Sequence, residues 1–304
     1  MRLFHFTSFE LSIHILYQYW SEEILTDRQE KNQVFSSNGG APFSKNVMKD
    51  DFGFEIPVES VPLPSSGLVY SSDSPLHLQE TVDIKAMTAK EEDILTSRAL
   101  IKKGTVITTL LNSCLVDKNI SVQEMLSGDR NAIMVALRIT GYGAEYTAEV
   151  DCPACGFKSK QEFDLSEMPI KRLELKPVQE GQNVFEFKLP VTKKNVHFRF
   201  LTGADEEELL VLQERKKKIG SLTDSIVTTK LQYSILSIDG KTDKNLISSF
   251  IRNMPARDSL ALRKFIDNNE PGIEMKAHMS CPSCHEQSEV RIPLGASFFW
   301  PDSE

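Results

Sequence analysis

The sequence predicts an α+β fold built from two related units. Each unit is expected to run strand, acidic-capped helix, further helix, strand, Cys-Pro-x-Cys knuckle, strand. Three observations carry this expectation. Two strand-to-helix segments repeat at one spacing, two Cys-Pro-x-Cys turns repeat at another, and the stretches flanking those turns alternate like hairpin strands.

The strand-to-helix segments come first. Val82 to Ala86 alternates apolar and polar, and Met87-Thr88-Ala89-Lys90-Glu91-Glu92 then opens a helix. Val196 to Phe200 alternates in the same way and leads into Leu201-Thr202-Gly203-Ala204-Asp205-Glu206, 114 residues after Met87. In both, a threonine stands at the expected N-cap with acidic residues three and four positions on. A hydroxyl there can accept from free backbone N–H groups, and carboxylates suit the positive helix end. These charge runs are read as helix capping on a solvated face. The second helix is expected to end at Lys216-Lys217-Lys218-Ile219-Gly220.

The likeness returns at the cysteines. Cys281 follows Cys152 by 129 residues, Asp258 follows Asp129 by the same 129, and each aspartate precedes its cysteine by 23. Tyr146 to Asp151 alternates before Cys152-Pro153-Ala154-Cys155-Gly156, and Lys158 to Leu165 alternates after it. Ile273 to Met279 precedes Cys281-Pro282-Ser283-Cys284, and Ser288 to Ile292 follows. Each knuckle therefore reads as a hairpin tip, the layout of a zinc ribbon. Two intervening residues let both thiolates of a pair reach one metal, and two knuckles supply a tetrahedral set. Neither knuckle has a third ligand of good spacing, so one structural zinc shared by Cys152, Cys155, Cys281 and Cys284 is expected. Two other readings stand beside it. A redox pair is disfavoured at a hairpin tip, where no helix N-terminus stabilises a thiolate. Cys281-Pro282-Ser283-Cys284-His285 also matches a c-type haem attachment motif, but the sister knuckle carries Gly156 in place of His285.

Composition narrows the rest. The 304 residues suffice for one large domain or two modest ones, and 40% apolar with 26% charged residues is ordinary for a globular chain. A formal net charge of −8 argues against broad electrostatic binding to nucleic acid. No run of apolar residues is long enough to span a membrane. Cys114, the fifth cysteine, lies in an apolar segment and reads as a buried small hydrophobe. GxGxxG, P-loop, HExxH and GxSxG motifs are absent, and the six histidines are scattered. His197 reads as a satisfied strand residue. A closed four-thiolate zinc leaves no open coordination position, so no catalytic residues and no enzyme are expected.

The domain reading is 1–47, 48–170 and 171–304. Residues 1–47 read as an extension of unlike composition, aromatic-rich up to Trp20, with a linker at Ser36 to Pro42. They are either translated upstream of the true start, with Met48 as the better beginning, or an amphipathic helix for a partner. Leu63 to Gly67 reads as an extended arm and turn, since Pro62 and Pro64 bar helix. Phe298-Phe299-Trp300 reads as a core plug in preference to a docking tail, because adjacent aromatics in water invite aggregation.

Several of these pieces together resemble a known group. They are Val61 to Tyr70, the Met87 to Glu92 helix opening, Leu126 to Asn131, Arg138 to Gly143, the first Cys-Pro-x-Cys and Leu201-Thr202-Gly203. In this order they resemble the T-even-type bacteriophage baseplate family, named for a hub assembly protein of contractile tails. The likeness covers about residues 55–215 and extends toward the C-terminus. It implies a non-enzymatic protein that assembles or builds the baseplate hub, with other baseplate or hub proteins as partners. It also implies the host cytoplasm during assembly and the tail baseplate of the virion as locations. The alternative is a zinc-ribbon nucleic-acid-binding protein, with Phe157, Lys158 and Lys160 on the first hairpin. The second hairpin sets Glu286 and Glu289 against Arg291, a poor balance for a phosphate backbone.

Overall fold

The computed structural model describes residues 47–49, 53, 55–218, 226–294 and 296–299. The readings placed on residues 1–46, on the Gly220 helix stop and on Trp300 lie outside these residues.

Helix and strand are mixed along the chain. An antiparallel sheet opens it in the order β1 (Val47–Lys49), β2 (Glu55–Pro62), β3 (Thr81–Lys85). Val82 and Ile84 of β3 face the core while Thr81 and Asp83 face out, the period of two expected of a half-buried strand. Between β2 and β3 the chain makes a long series of turns, tied at its base by the Leu63 N–H donating to Glu80 O at 2.8 Å. Helices α1 (Ala89–Thr96), α2 (Arg98–Lys103) and α3 (Val106–Cys114) follow, and Leu115 then bridges back to Ile84. Helix α4 (Ser127–Tyr142) leads into the hairpin of β4 (Glu145–Asp151) and β5 (Lys158–Asp164).

The second half has a comparable order. Strands β7 (Phe185–Lys188), β8 (Asn195–Phe198) and β9 (Ile235–Ile238) form an antiparallel sheet. Helices α5 (Gly203–Lys218) and α6 (Ile226–Ser234) lie between β8 and β9. After α7 (Lys244–Asn253) and α8 (Ala256–Asn269) comes the hairpin of β11 (Lys276–Ser280) and β12 (Gln287–Arg291). A two-stranded ribbon, β6 (Ile170–Lys171) with β10 (Gly272–Ile273), crosses over the start of α4. There the approach is so close that a Cβ on Gly128 would lie 1.8 Å from Pro271 O, so only glycine fits.

One apolar core runs through both halves. Leu63, Leu110, Leu111 and Leu137 of the first meet Phe185, Phe198 and Phe200 of the second in a single cluster. Phe298 and Phe299 are fully buried in it, which is the core-plug reading. The Phe298 ring stands edge-on to Tyr146 at 5.1 Å, and Arg138 Nε donates to Phe298 O at 3.0 Å. Cys114 is buried as expected, and burial, with the Glu91 charge behind it, pushes its thiol up to about 12. His197 is half-buried and its Nδ1 meets Ser237 Oγ at 3.1 Å.

At the helix openings the caps carry added bonds. Thr88 forms a capping box, its side chain accepting from the Glu91 backbone N–H, and it also donates its own N–H and hydroxyl to the Glu91 carboxylate. Thr202 donates its N–H and its hydroxyl to Asp205, each bond at 2.8 Å. Both carboxylates are buried, not on a solvated face. Each is met by a cation six residues earlier: Lys85 Nζ at 3.0 Å from Glu91, and Arg199 at 2.6 and 2.7 Å from Asp205. A buried carboxylate needs such donors, and the turn before each helix supplies them. Burial opposes the Glu91 charge, but hydrogen bonds from Ser113, Thr88 and Lys85 outweigh it and hold the carboxyl at about 2.

The aspartates 129 residues apart share a further role. Each is the third residue of its helix, fully buried, and holds a Leu-Pro turn. Asp129 accepts from Ser65 N at 2.9 Å, Ser65 Oγ at 2.6 Å and Tyr70 OH at 2.6 Å. Asp258 accepts from Val191 N at 2.6 Å, Thr192 N at 3.0 Å and Thr192 Oγ1 at 2.8 Å.

Candidate metal centre

The centre is built from two short connections between strands. β4 and β5 pair without interruption from Glu145↔Asp164 to Asp151↔Lys158, so residues 152–157 are left as the tip. β11 and β12 pair from Lys276↔Arg291 to Ser280↔Gln287, leaving residues 281–286. Apolar Tyr146, Ala148 and Val150 face inward along β4 while its charged residues face out, which sets the direction in which the tip projects.

The two tips have the same internal geometry. Cys152 N–H donates to Phe157 O at 2.9 Å and Gly156 N–H returns to Cys152 O at 2.8 Å. Cys281 N–H donates to Glu286 O at 3.0 Å and His285 N–H returns to Cys281 O at 2.9 Å. Both returns need a left-handed residue, Gly156 at φ +71° and His285 at φ +58°. His285 thus serves the turn between two strands and is not on a helix, which removes the context a haem attachment site requires.

All four sulfurs converge. The Sγ atoms of Cys152, Cys155, Cys281 and Cys284 lie within 4.8 Å of one another. Cys152 Sγ to Cys284 Sγ is 3.7 Å, and Cys155 Sγ to Cys281 Sγ is 3.7 Å. Four sulfurs about 2.3 Å from a tetrahedral ion stand about 3.8 Å apart, so the spacing fits a Cys₄ metal. One cysteine of each knuckle, Cys152 and Cys281, is buried, and the other, Cys155 and Cys284, is exposed.

The thiols of the cluster do not titrate alike. Backbone N–H groups of Cys284 and Ser283 direct themselves at the Cys281 sulfur and, against partial burial, pull its thiol down to about 6. At Cys284 the Glu286 backbone donor favours the thiolate, but burial and the neighbouring sulfurs outweigh it and push the thiol up to about 12. Four thiolates in this space repel one another unless a cation sits among them. These residues could hold a metal ion.

The flanking surface is mixed in charge. Lys158 Nζ lies 3.8 Å from Glu149 and 3.5 Å from Asp151, so the lysine is already occupied by carboxylates of the opposite strand. Sequence reasoning brought out the four cysteines and both aspartates, but not what the aspartates hold. It also passed over Lys85 and Arg199, which repeat at the 114-residue spacing, and the Leu189-Pro190 counterpart of Leu63-Pro64.

A family model described as T4 bacteriophage base plate protein matches residues 63–300. The chain belongs to that family. The match takes in both cysteine knuckles, both Leu-Pro turns and the aromatic C-terminal plug of this baseplate protein. It is wider than the stretch carrying the resemblance noted above, and it reaches the second hairpin. Neither a curated protein nor a solved structure matches the chain. Among the described residues of this baseplate-family chain, no helix is long and apolar enough to cross a membrane.

Proposed function

We propose that this baseplate-family protein is a non-enzymatic component or assembly factor of the baseplate hub of a contractile tail. It would act in the host cytoplasm during assembly and contact other hub proteins. The family match over residues 63–300 carries this reading. In it, one zinc ion bound by Cys152, Cys155, Cys281 and Cys284 ties together two related units, 48–170 and 171–304. The spacing of the sulfurs supports the metal. The two-unit reading is supported by the paired carboxylate caps, the paired aspartate-held turns and the paired knuckles, which recur in the same chain order. Zinc would be structural. It would supply the positive charge that lets four thiolates share one site, and the protein residues do the rest by fixing two tips in register.

Metal analysis of the full chain purified without chelator should find about one zinc per chain bound by four sulfurs. Two equivalents, or none in normally folded protein, would refute the shared site. A pull-down from infected cells separates the functional readings: recovery of tail proteins supports the hub role, and recovery of nucleic acid in their place overturns it.

A further inference from the structure

The geometry points to a second interaction surface, on the turn Pro190–Lys193 and the first turn of α8, that takes an extended acidic segment of another protein. The inference rests on the reading of two related units, because it comes from comparing one surface with its counterpart.

In the first half the counterpart surface is covered. Leu173 N–H donates to Pro64 O at 2.9 Å, and the β6–β10 ribbon lies against Gly128. Pro64, Ser65 and Gly67 of the turn, and Ser127 to Arg130 of α4, are all buried. The second half has the same turn on the same kind of aspartate, left open. Val191 is 47% exposed, and Lys193, Ala256 and Arg257 are exposed as well. Among the described residues no backbone N–H meets Pro190 O, the counterpart of Pro64 O. The cause is local. Leu189 N–H closes on Lys194 O at 2.9 Å in a tight turn, where the first half has the long loop from Leu63 to Glu80.

The residues that differ between the two surfaces define the occupant. Lys193 stands at φ +59°, where the first half has Gly67 at φ +71°. A lysine in that left-handed position is strained, and its side chain is exposed. Arg257 stands at the position of Gly128, where the first half admits only the close passage of backbone, and its side chain is exposed. Neither Lys193 nor Arg257 forms a salt bridge among the described residues, whereas the neighbouring Lys194 is held by Asp239 at 2.7 Å. The Asp258 carboxylate already accepts three hydrogen bonds, and Lys193 adds only its field to them. An open carbonyl, an exposed valine and two exposed cations outside any salt bridge among the described residues suit a strand-like segment that offers an N–H, an apolar side chain and carboxylates. Two copies of a chain of net charge −8 repel one another, so the acidic segment is assigned to a different protein.

The test uses the full chain carrying a photo-reactive amino acid at Val191, made in cells infected by a phage lacking its own copy. The cross-linked peptide is then sequenced. The expected product joins residue 191 to an acidic segment of a different protein. The same probe at Leu246, exposed on α7, should give no such product. Lys193→Glu with Arg257→Glu should cut the yield about tenfold, as reversal of charges at an interface does. Both side chains are exposed, and an unchanged circular dichroism spectrum shows that the variant folds. The proposal is overturned if the two probe positions give equal yields, if the product is a second copy, or if cross-linking survives charge reversal. An acidic, charge-sensitive partner that is not a tail protein would uphold the surface and overturn the hub role.

Discussion

Asp129→Ala and Asp258→Ala remove the same number of hydrogen bonds and should have unequal costs. Each carboxylate accepts three, from 2.6 to 3.0 Å. Bonds to a charged acceptor are worth about 1.5–3 kcal/mol each, so the gross loss at either site is about 4.5–9 kcal/mol. Part of it returns, because the buried charge is itself costly: burial raises the Asp129 carboxyl above its usual range. What remains depends on the orphaned donors. Ser65 is fully buried and Tyr70 nearly so, so their donors find no water. We expect about 3–5 kcal/mol of lost stability for Asp129→Ala, since buried unpaired donors retain their desolvation penalty. Val191 is exposed and Thr192 half-buried, so the turn held by Asp258 can rehydrate. There we expect about 1–2 kcal/mol, close to the loss of an ordinary helix cap. Urea unfolding followed by circular dichroism, with unchanged slopes, measures both. A cost for Asp258→Ala equal to or above that for Asp129→Ala would refute the reasoning.

Two further predictions concern the buried charges and the sulfurs. Cys152→Ser and Cys281→Ser break one site, so the double variant should be little worse than either single one in thermal melts. Simple addition of the two losses would mean independent knuckles. Glu91, ordinarily near 4.5, is held at about 2 in the folded chain, so its contribution is present above 4.5 and is lost as pH falls toward 2. Glu91→Gln should therefore lower stability at neutral pH and flatten the acid limb; an acid limb unchanged in urea titrations would exclude this role.

Much of the candidate site was legible because it is local. The Cys-x-x-Cys spacing and the alternation on either side place each pair of thiolates at a hairpin tip whatever the rest of the chain does. The same holds for the threonine-led helix starts, since the period of a strand and the unpaired groups at a helix end are properties of a few consecutive residues. The burial of the cap carboxylates was not legible. Only the tertiary structure closes the core over Glu91 and Asp205 and sets Lys85 and Arg199 against them, so that each threonine also donates its hydroxyl to a buried carboxylate. Nor could the spacing of Asp129 and Asp258 disclose the Leu-Pro turns they hold, because those turns lie 64 and 66 residues away in the chain.

What the sequence determined by itself was the set of local elements, the knuckles and the repeated order in which they occur. The tertiary structure decided that the two knuckles meet, that a single apolar core runs beneath both halves, and that one aspartate-held turn is covered while the other stands open. Backbone periodicity is set over a few residues. Which surfaces touch depends on how loops of different length bring distant apolar faces out of water, and a tight turn at Leu189 to Lys194 leaves exposed what the long loop from Leu63 to Glu80 helps to bury.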